Sequence, residues 1–422
     1  MRCSHVPFVV LLLLWTVAVP AYGWEVHGFG DLRSGLRLQE APAQRDALLN
    51  EARVQMDLQH SSDLALWQLR ADLLWDEAAT EHEFDLEQGH GLLDLREANL
   101  VLTPLDFLDL KIGRQILTWG TGDLLFINDL FPKDWQSFFL GRDEEYLKAP
   151  SDGVLASFFF NWATLDVAWS PCFDADRYIS GERMVYWNPM LGRLAGQDTK
   201  ADVDPRNRWL AEDEISVRLS RTLLGYEWAL YGYDGYWKSP VGFDAASGQQ
   251  YFPRLRVVGG SVRGNFGPGL INGEVGYYDS LEDRNGSDPL VPNSEYRLLV
   301  GYEQELRRNL TLGIQYYLEW LNAYQAYRRH LPPGQRARDE DRHVLTLRLT
   351  QLALNQNLVV SLFGYWSPSD QDGYLRPSVK YKATDTVTLS VGANLFWGDR
   401  PETFFGQFED NSNLYVSLRY GF

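Results

Sequence analysis

The chain has 422 residues and a formal net charge of −18, which excludes the basic face that nucleic-acid phosphates require. Mean hydropathy is −0.31, and beyond the first two dozen residues no apolar run approaches the roughly 20 residues of a spanning helix, so helical membrane insertion is excluded. Yet aromatic residues make up 14% of the chain, with 15 Trp and 22 Tyr, the amphipathic rings that a transmembrane barrel places at both headgroup boundaries.

At the N-terminus, Arg2 and His5 precede an apolar run from Val6 to Val19, followed by Ala21-Tyr22-Gly23 in a small-x-small pattern. That run is too short to span a bilayer and reads as a secretory signal, so residues 1–23 are expected to be cleaved and 24–422 to form one domain. Cys3 stands before the apolar run and not after a cleavage site, which argues against a lipid anchor. Scarce cysteine also suits an oxidising envelope compartment.

From Glu25 onward, apolar and polar residues alternate with period 2. Leu310, Leu312, Ile314, Tyr316 and Leu318 oppose Thr311, Gly313, Gln315, Tyr317 and Glu319; Leu375, Val379 and Tyr381 oppose Arg376, Ser378, Lys380 and Lys382. Val387, Leu389, Val391, Ala393, Leu395 and Trp397 repeat the pattern, as do Leu414, Val416, Leu418, Tyr420 and Phe422 against Asn413, Tyr415, Ser417, Arg419 and Gly421. One face suits lipid and the other water, and a one-residue slip would turn every charge outward. About eighteen such segments are expected, an even number that lets the first strand pair with the last.

Short connections at 61–63, 103–105, 161–163, 266–269, 307–309 and 383–385 alternate with long ones at 78–90, 118–150, 171–212, 322–341 and 398–411. The predicted fold is therefore all-β: a closed antiparallel transmembrane barrel with short periplasmic turns and long extracellular loops, held in the outer membrane of a Gram-negative-type bacterium. Lipid and lipopolysaccharide are its expected surroundings. The terminal Phe422 resembles the recognition signal that such barrels present to the barrel-assembly machinery.

Alternation predicts an inward set of cations that includes Arg218, Arg297, Arg348, Arg376, Lys380, Lys382 and Arg419, with acids such as Asp166, Glu274 and Glu319 beside them. Two readings stay open: cross-strand pairs that merely keep the lumen wet, or a basic track that attracts anionic solutes. The segment 118–150 combines Trp119, Phe126, Phe131, Trp135, Phe138, Phe139 and Tyr146 with Asp123, Asp129, Asp134, Asp143, Glu144 and Glu145. So many rings are costly to leave in water, so this loop is expected to fold inward, where Trp119, Asp123, Asp129, Trp135 and Asp143 would narrow the passage.

Around it the chain reads Leu110-Lys111-Ile112-Gly113-Arg114-Gln115-Ile116-Leu117-Thr118-Trp119-Gly120, then Asn128-Asp129-Leu130-Phe131-Pro132-Lys133-Asp134 and Glu145-Tyr146-Leu147-Lys148-Ala149-Pro150. This resembles the alginate-export-like porins and related bacterial outer-membrane porins, in which a Gly-Arg-Gln strand end and Trp-Gly lead into such a loop. The resemblance implies a barrel channel, and in the namesake members export of an anionic polysaccharide through an arginine-rich lumen. The chain departs from the family in having Phe131 before Pro132. Strict alternation also sets Arg114 on the side of Leu110, Ile112 and Ile116, so either a β-bulge turns it inward or it lies near the interface; the bulge is the expectation, because arginine at mid-membrane costs about 2–4 kcal/mol.

Enzymatic chemistry has little support. The histidines are scattered, and neither Gly-x-Ser-x-Gly nor His-Glu-x-x-His occurs. A triad assembled from separate strands remains the weakest alternative. His82 and His90 flank acids in one loop, where solvated charge is a better reading than a metal site. No cofactor or metal is expected. The function expected is passage of small polar or anionic solutes; the competing reading is an anchor whose long loops bind a surface partner or polymer.

Overall fold

The computed structural model describes residues 23–41, 44–63, 65–79, 85–86, 88–89 and 91–422; the leader assignment, Gly23 apart, and both His82 and His90 lie outside the described residues. Alternating segments become strands because each can give one face to the interior and the other to the exterior. They are β1 (Trp24–Arg37), β2 (Ala47–Ser61), β3 (Ala65–Asp76), β4 (Leu93–Leu105), β5 (Leu108–Gln115) and β6 (Ser151–Phe159). Next come β7 (Thr164–Ser170), β8 (Glu214–Leu223), β9 (Tyr226–Tyr236), β10 (Arg254–Phe266), β11 (Gly269–Ser280) and β12 (Glu295–Arg307). The wall is completed by β13 (Leu310–Leu321), β14 (Asp341–Ala353), β15 (Leu358–Ser367), β16 (Asp372–Lys382), β17 (Val387–Gly398) and β18 (Asn413–Gly421).

These form one 18-stranded antiparallel sheet in which each strand pairs with its sequence neighbours. β1 also pairs with β18, from Phe29 opposite Gly421 to Arg37 opposite Asn413, so the barrel is closed. At the seam the Phe422 N–H donates to the Gly28 carbonyl at 2.9 Å and Gly28 returns the bond at 3.1 Å. Closure removes both edges, as the even strand count requires.

The side-chain rows follow the predicted parity. On β18, Leu414, Val416, Leu418 and Tyr420 face outward and are exposed, while Asn413, Tyr415 and Ser417 are buried inside. Outward rings gather toward both rims: Trp75, Trp320, Trp366 and Trp397 at the long-loop end, Trp162, Trp228, Phe266 and Tyr420 at the short-turn end. Such girdles fit two headgroup layers bracketing an apolar band. One connection differs from expectation: β4 runs through Thr103 to Leu105, and the turn falls at Asp106 and Phe107 after a register shift.

Long connections carry small elements of their own, including helix α1 (Trp135–Leu140), a 3-10 turn (Glu144–Leu147) and hairpins at 186–195 and 242–251. Toward the long-loop end the interior holds buried residues of the 118–150 connection. Phe138 and Phe139 of α1 pack with Tyr374, Phe396, Phe405 and Phe408 in one buried aromatic cluster. Helix and cluster together hold the loop that shapes the lumen.

Candidate functional site: the lumen constriction

The chain turns into the barrel at the end of β5. Gly113 has φ +118°, a region that side-chain-bearing residues avoid, and the next residue, Arg114, is buried. Its guanidinium donates to the Leu95 carbonyl at 2.7 Å, the Leu86 carbonyl at 2.7 Å and Asp152 at 2.8 Å. No register shift interrupts β5 at this point, so the bulge expected to turn Arg114 inward is absent and Arg114 stays opposite Ala98 and Asp152. A bulge does occur next door, where the pairing of β3 with β4 skips Arg96. Arg114 is thus tied into the base of the loop and is not a lumen-lining selectivity residue.

Residues 121–128 are held against β11 and β13. The buried carboxylate of Glu274 accepts from the backbone N–H of Thr121, from Gly122 at 2.7 Å, from Asn128 at 3.2 Å and from the Asn128 amide at 2.9 Å. Gln315 accepts from the Asp123 N–H and donates to the Asp123 carbonyl, both at 2.8 Å. Tyr278 and Tyr365 donate to the carbonyls of Ile127 and Leu124, each at 2.5 Å. A carboxylate collecting several N–H groups is a strong anchor, because each orphan donor left in its place would carry a desolvation penalty.

Across the barrel, α1 starts at Asp134, whose side chain accepts from the N–H and hydroxyl of Ser137, each at 2.7 Å, and it stops at left-handed Gly141. Arg33 of β1 donates to the Gly141 carbonyl at 2.5 Å. Arg142 pairs with Glu51 at 2.5 Å, and the Tyr146 hydroxyl donates to Asp72 at 2.8 Å beneath the Arg53 guanidinium, 4.3 Å from the ring centroid.

The following carboxylates meet the basic rows of the wall. Asp143 lies 2.6 Å from Arg419, 3.5 Å from Arg33 and 3.8 Å from Lys380. Glu145 reaches Arg419 at 3.3 Å, and Glu144 reaches Arg348 at 3.3 Å and Arg376 at 3.9 Å. Asp123 closes the set with bonds of 2.5 and 2.9 Å to Arg348. Burial pushes the Asp143 carboxyl up, but Arg33, Arg419 and Lys380 outweigh it and hold the group below its usual range. The side chains of Asp123, Glu144 and Glu145 remain 41%, 46% and 53% exposed, against 21% for Arg348 and 22% for Arg419. Facing the water, then, the cluster presents carboxylate more than guanidinium.

Other candidates lie elsewhere. Arg218 pairs with Glu227 at 2.5 Å and Asp166 at 3.8 Å on a different sector of the wall, and Arg297 is buried over Tyr278 with Glu295 at 2.5 Å. Lys382 sits at the short-turn rim with Asp385. Trp119 packs edge-on against Phe131, and Asp129 holds Lys133 and Thr118. The Trp135 indole donates to Asp176 of the 171–213 loop at 3.1 Å, so Trp135 faces the outer brace and not the lumen.

That brace also sets Arg177 between Asp94 at 2.7 Å and Asp134 at 3.1 Å, and Arg183 against Asp76. Arg96, Arg142, Tyr146, Gln315 and the anchoring role of Glu274 had no sequence signal beyond inward parity or membership of the aromatic loop.

No family model and no curated protein matches the chain. Among solved structures it is similar to Pseudomonas aeruginosa OccD3 (OpdP), at 10% identity over 95% of this chain and 91% of that one with a TM-score of 0.54. It is also similar to Pseudomonas aeruginosa OccK11 (OpdR), at 9% identity over 94% and 95% with a TM-score of 0.52. At that identity the likeness concerns the fold alone: a closed β-barrel.

Proposed function

We propose that the chain is an outer-membrane porin that passes small polar solutes through a lumen narrowed by its own residues 118–150. The observation that carries this reading is the inward loop, which meets inner rows from β1 to β4 and from β11 to β18 while the outward rows stay apolar between two aromatic girdles. An eighteen-stranded wall is wide enough for an aqueous interior, unlike the small filled barrels of simple anchors. The long loop 171–213 braces the constriction through Asp176 and Arg177 and the wall through Arg183 and Asp76, which ties it to the barrel.

Selectivity in this reading is weak. Ring charges at a constriction decide it more than net charge does, and here Arg348, Arg376 and Arg419 are masked by Asp123, Asp143, Glu144 and Glu145. Export of an anionic polysaccharide, implied by the alginate-export-like resemblance, calls for unmasked cations along the path, so small solutes of mixed charge fit better. Purified protein in planar bilayers is expected to give discrete conductance steps and a reversal potential near zero across a salt gradient. Absence of steps would reject the channel, and strong anion selectivity would reject the masking argument.

A further inference from the structure

The outward surface of β8 to β12 carries a groove of about 510 Å³ that the passage of solutes does not use. Its floor is the backbone of Gly260 and Gly273. The register sets them in two outward rows, Leu230, Gly260, Val275, Leu298 and Trp228, Val262, Gly273, Val300. Both glycines have ordinary backbone angles, and a Cβ at either would meet nothing nearer than 3.4 Å. Crowding therefore does not require glycine here. In a strand interior glycine is less stable than alanine, and its effect at these two positions is to open a cleft in an otherwise even apolar band.

At the short-turn edge of the cleft, Arg221 lies directly opposite outward-facing Trp228 and lines the groove with Trp162. Arg221 is exposed, and among the described residues no carboxylate pairs with it. An outward arginine is tolerated on a barrel only near the headgroup level, and there a phosphate is its natural partner.

We propose that this groove is a specific site for one glycerophospholipid of the periplasmic leaflet, with an acyl chain lying over Gly260 and Gly273 and the phosphate on Arg221. The proposal rests on the reading that this face meets a membrane. Two features set the site apart from ordinary annular lipid: the cleft admits a chain to the level of the backbone, and a lone guanidinium stands at the end where a headgroup would sit. The volume falls within the range of small-molecule sites.

The test is native mass spectrometry of the full chain taken from nanodiscs of phosphatidylcholine doped with phosphatidylglycerol. Wild type is expected to retain one phospholipid per chain, enriched in phosphatidylglycerol. Gly260→Val with Gly273→Val fills the cleft with a residue that favours strands, and retention is expected to fall about tenfold. Arg221→Gln is expected to keep the lipid but lose the enrichment. No retained lipid in wild type, or unchanged retention in the filled variant, would overturn the site. So would a wild-type oligomer that the filled variant dissociates, since a second copy would then be the occupant. Bilayer conductance should be the same in every variant, so loss of the channel reading and loss of the lipid site are separable.

Discussion

The inserted loop is held at its two ends by different physics. Residues 121–128 hang on Glu274, Gln315, Tyr278 and Tyr365 through hydrogen bonds that mostly involve the loop backbone. Residues 141–146 are held largely by charge, through Arg33, Arg142, Arg348 and Arg419. Backbone hydrogen bonds fix where a segment lies whatever its side chains are, and salt screens them little. Ion pairs that reach water fix less and respond to salt, pH and passing ions. The first end is thus a hinge post, and the second is where selectivity can be tuned.

Removing the post should have the largest effect. Glu274→Ala leaves the N–H groups of Thr121, Gly122 and Asn128 without their acceptor, a loss on the order of 3 kcal/mol for a group of bonds to one buried carboxylate. The segment should leave the wall and single-channel conductance should rise, with added current noise. Glu274→Gln retains one carbonyl oxygen and should show a smaller change. Conductance equal to wild type in Glu274→Ala would mean that the charged end alone positions the loop.

Breaking the charged end should change selectivity more than size. Arg348→Ala with Arg419→Ala removes the main partners of Asp123, Glu144 and Glu145 while leaving Arg33 and Lys380 on Asp143. Asp123 and Glu145 then lose the arginines paired with them, and Glu144 keeps only Arg376 at 3.9 Å. The reversal potential across a salt gradient should move toward cation preference with little change in conductance. Movement toward anions, or none, would show that these pairs are not at the narrowest level.

Which parts of this were legible in sequence follows from the range of the information. Alternation is local, so the strands, their outward rows and the closed eighteen-strand wall could be read from short windows such as 387–397 and 414–422. The charges on inner rows were equally local. Their neutralisation was not: Arg348 and Asp123 are 225 positions apart, and Arg419 and Glu145 are 274 apart. No pattern along the chain states which loop acid meets which wall arginine. Arg114 shows a smaller failure of the same kind. Parity set it in the row of Leu110 and Ile112, and the register keeps it there; what buries it is contact with Leu86, Leu95 and Asp152, which period 2 cannot register.

Acidification should give the smallest effect and the most direct comparison of the two ends. Asp143 is held below its usual carboxylate range by Arg33, Arg419 and Lys380 against the opposing effect of burial. A depressed folded-state value means that its tethering is complete above the ordinary carboxylate range and is lost as pH falls through the depressed value. On the way down Asp143 therefore stays charged longer than a free carboxylate, and Arg33, Arg419 and Lys380 lose this counter-charge only below the pH at which a free carboxylate would protonate. Anion permeability should then rise while the Glu274 end keeps conductance nearly constant. Asp143→Asn removes the charge at every pH, so it should show the higher anion permeability already at neutral pH and a smaller change on acidification. If the variant and the wild type follow the same pH curve, Asp143 does not control anion permeability, which refutes the role assigned to its three cations.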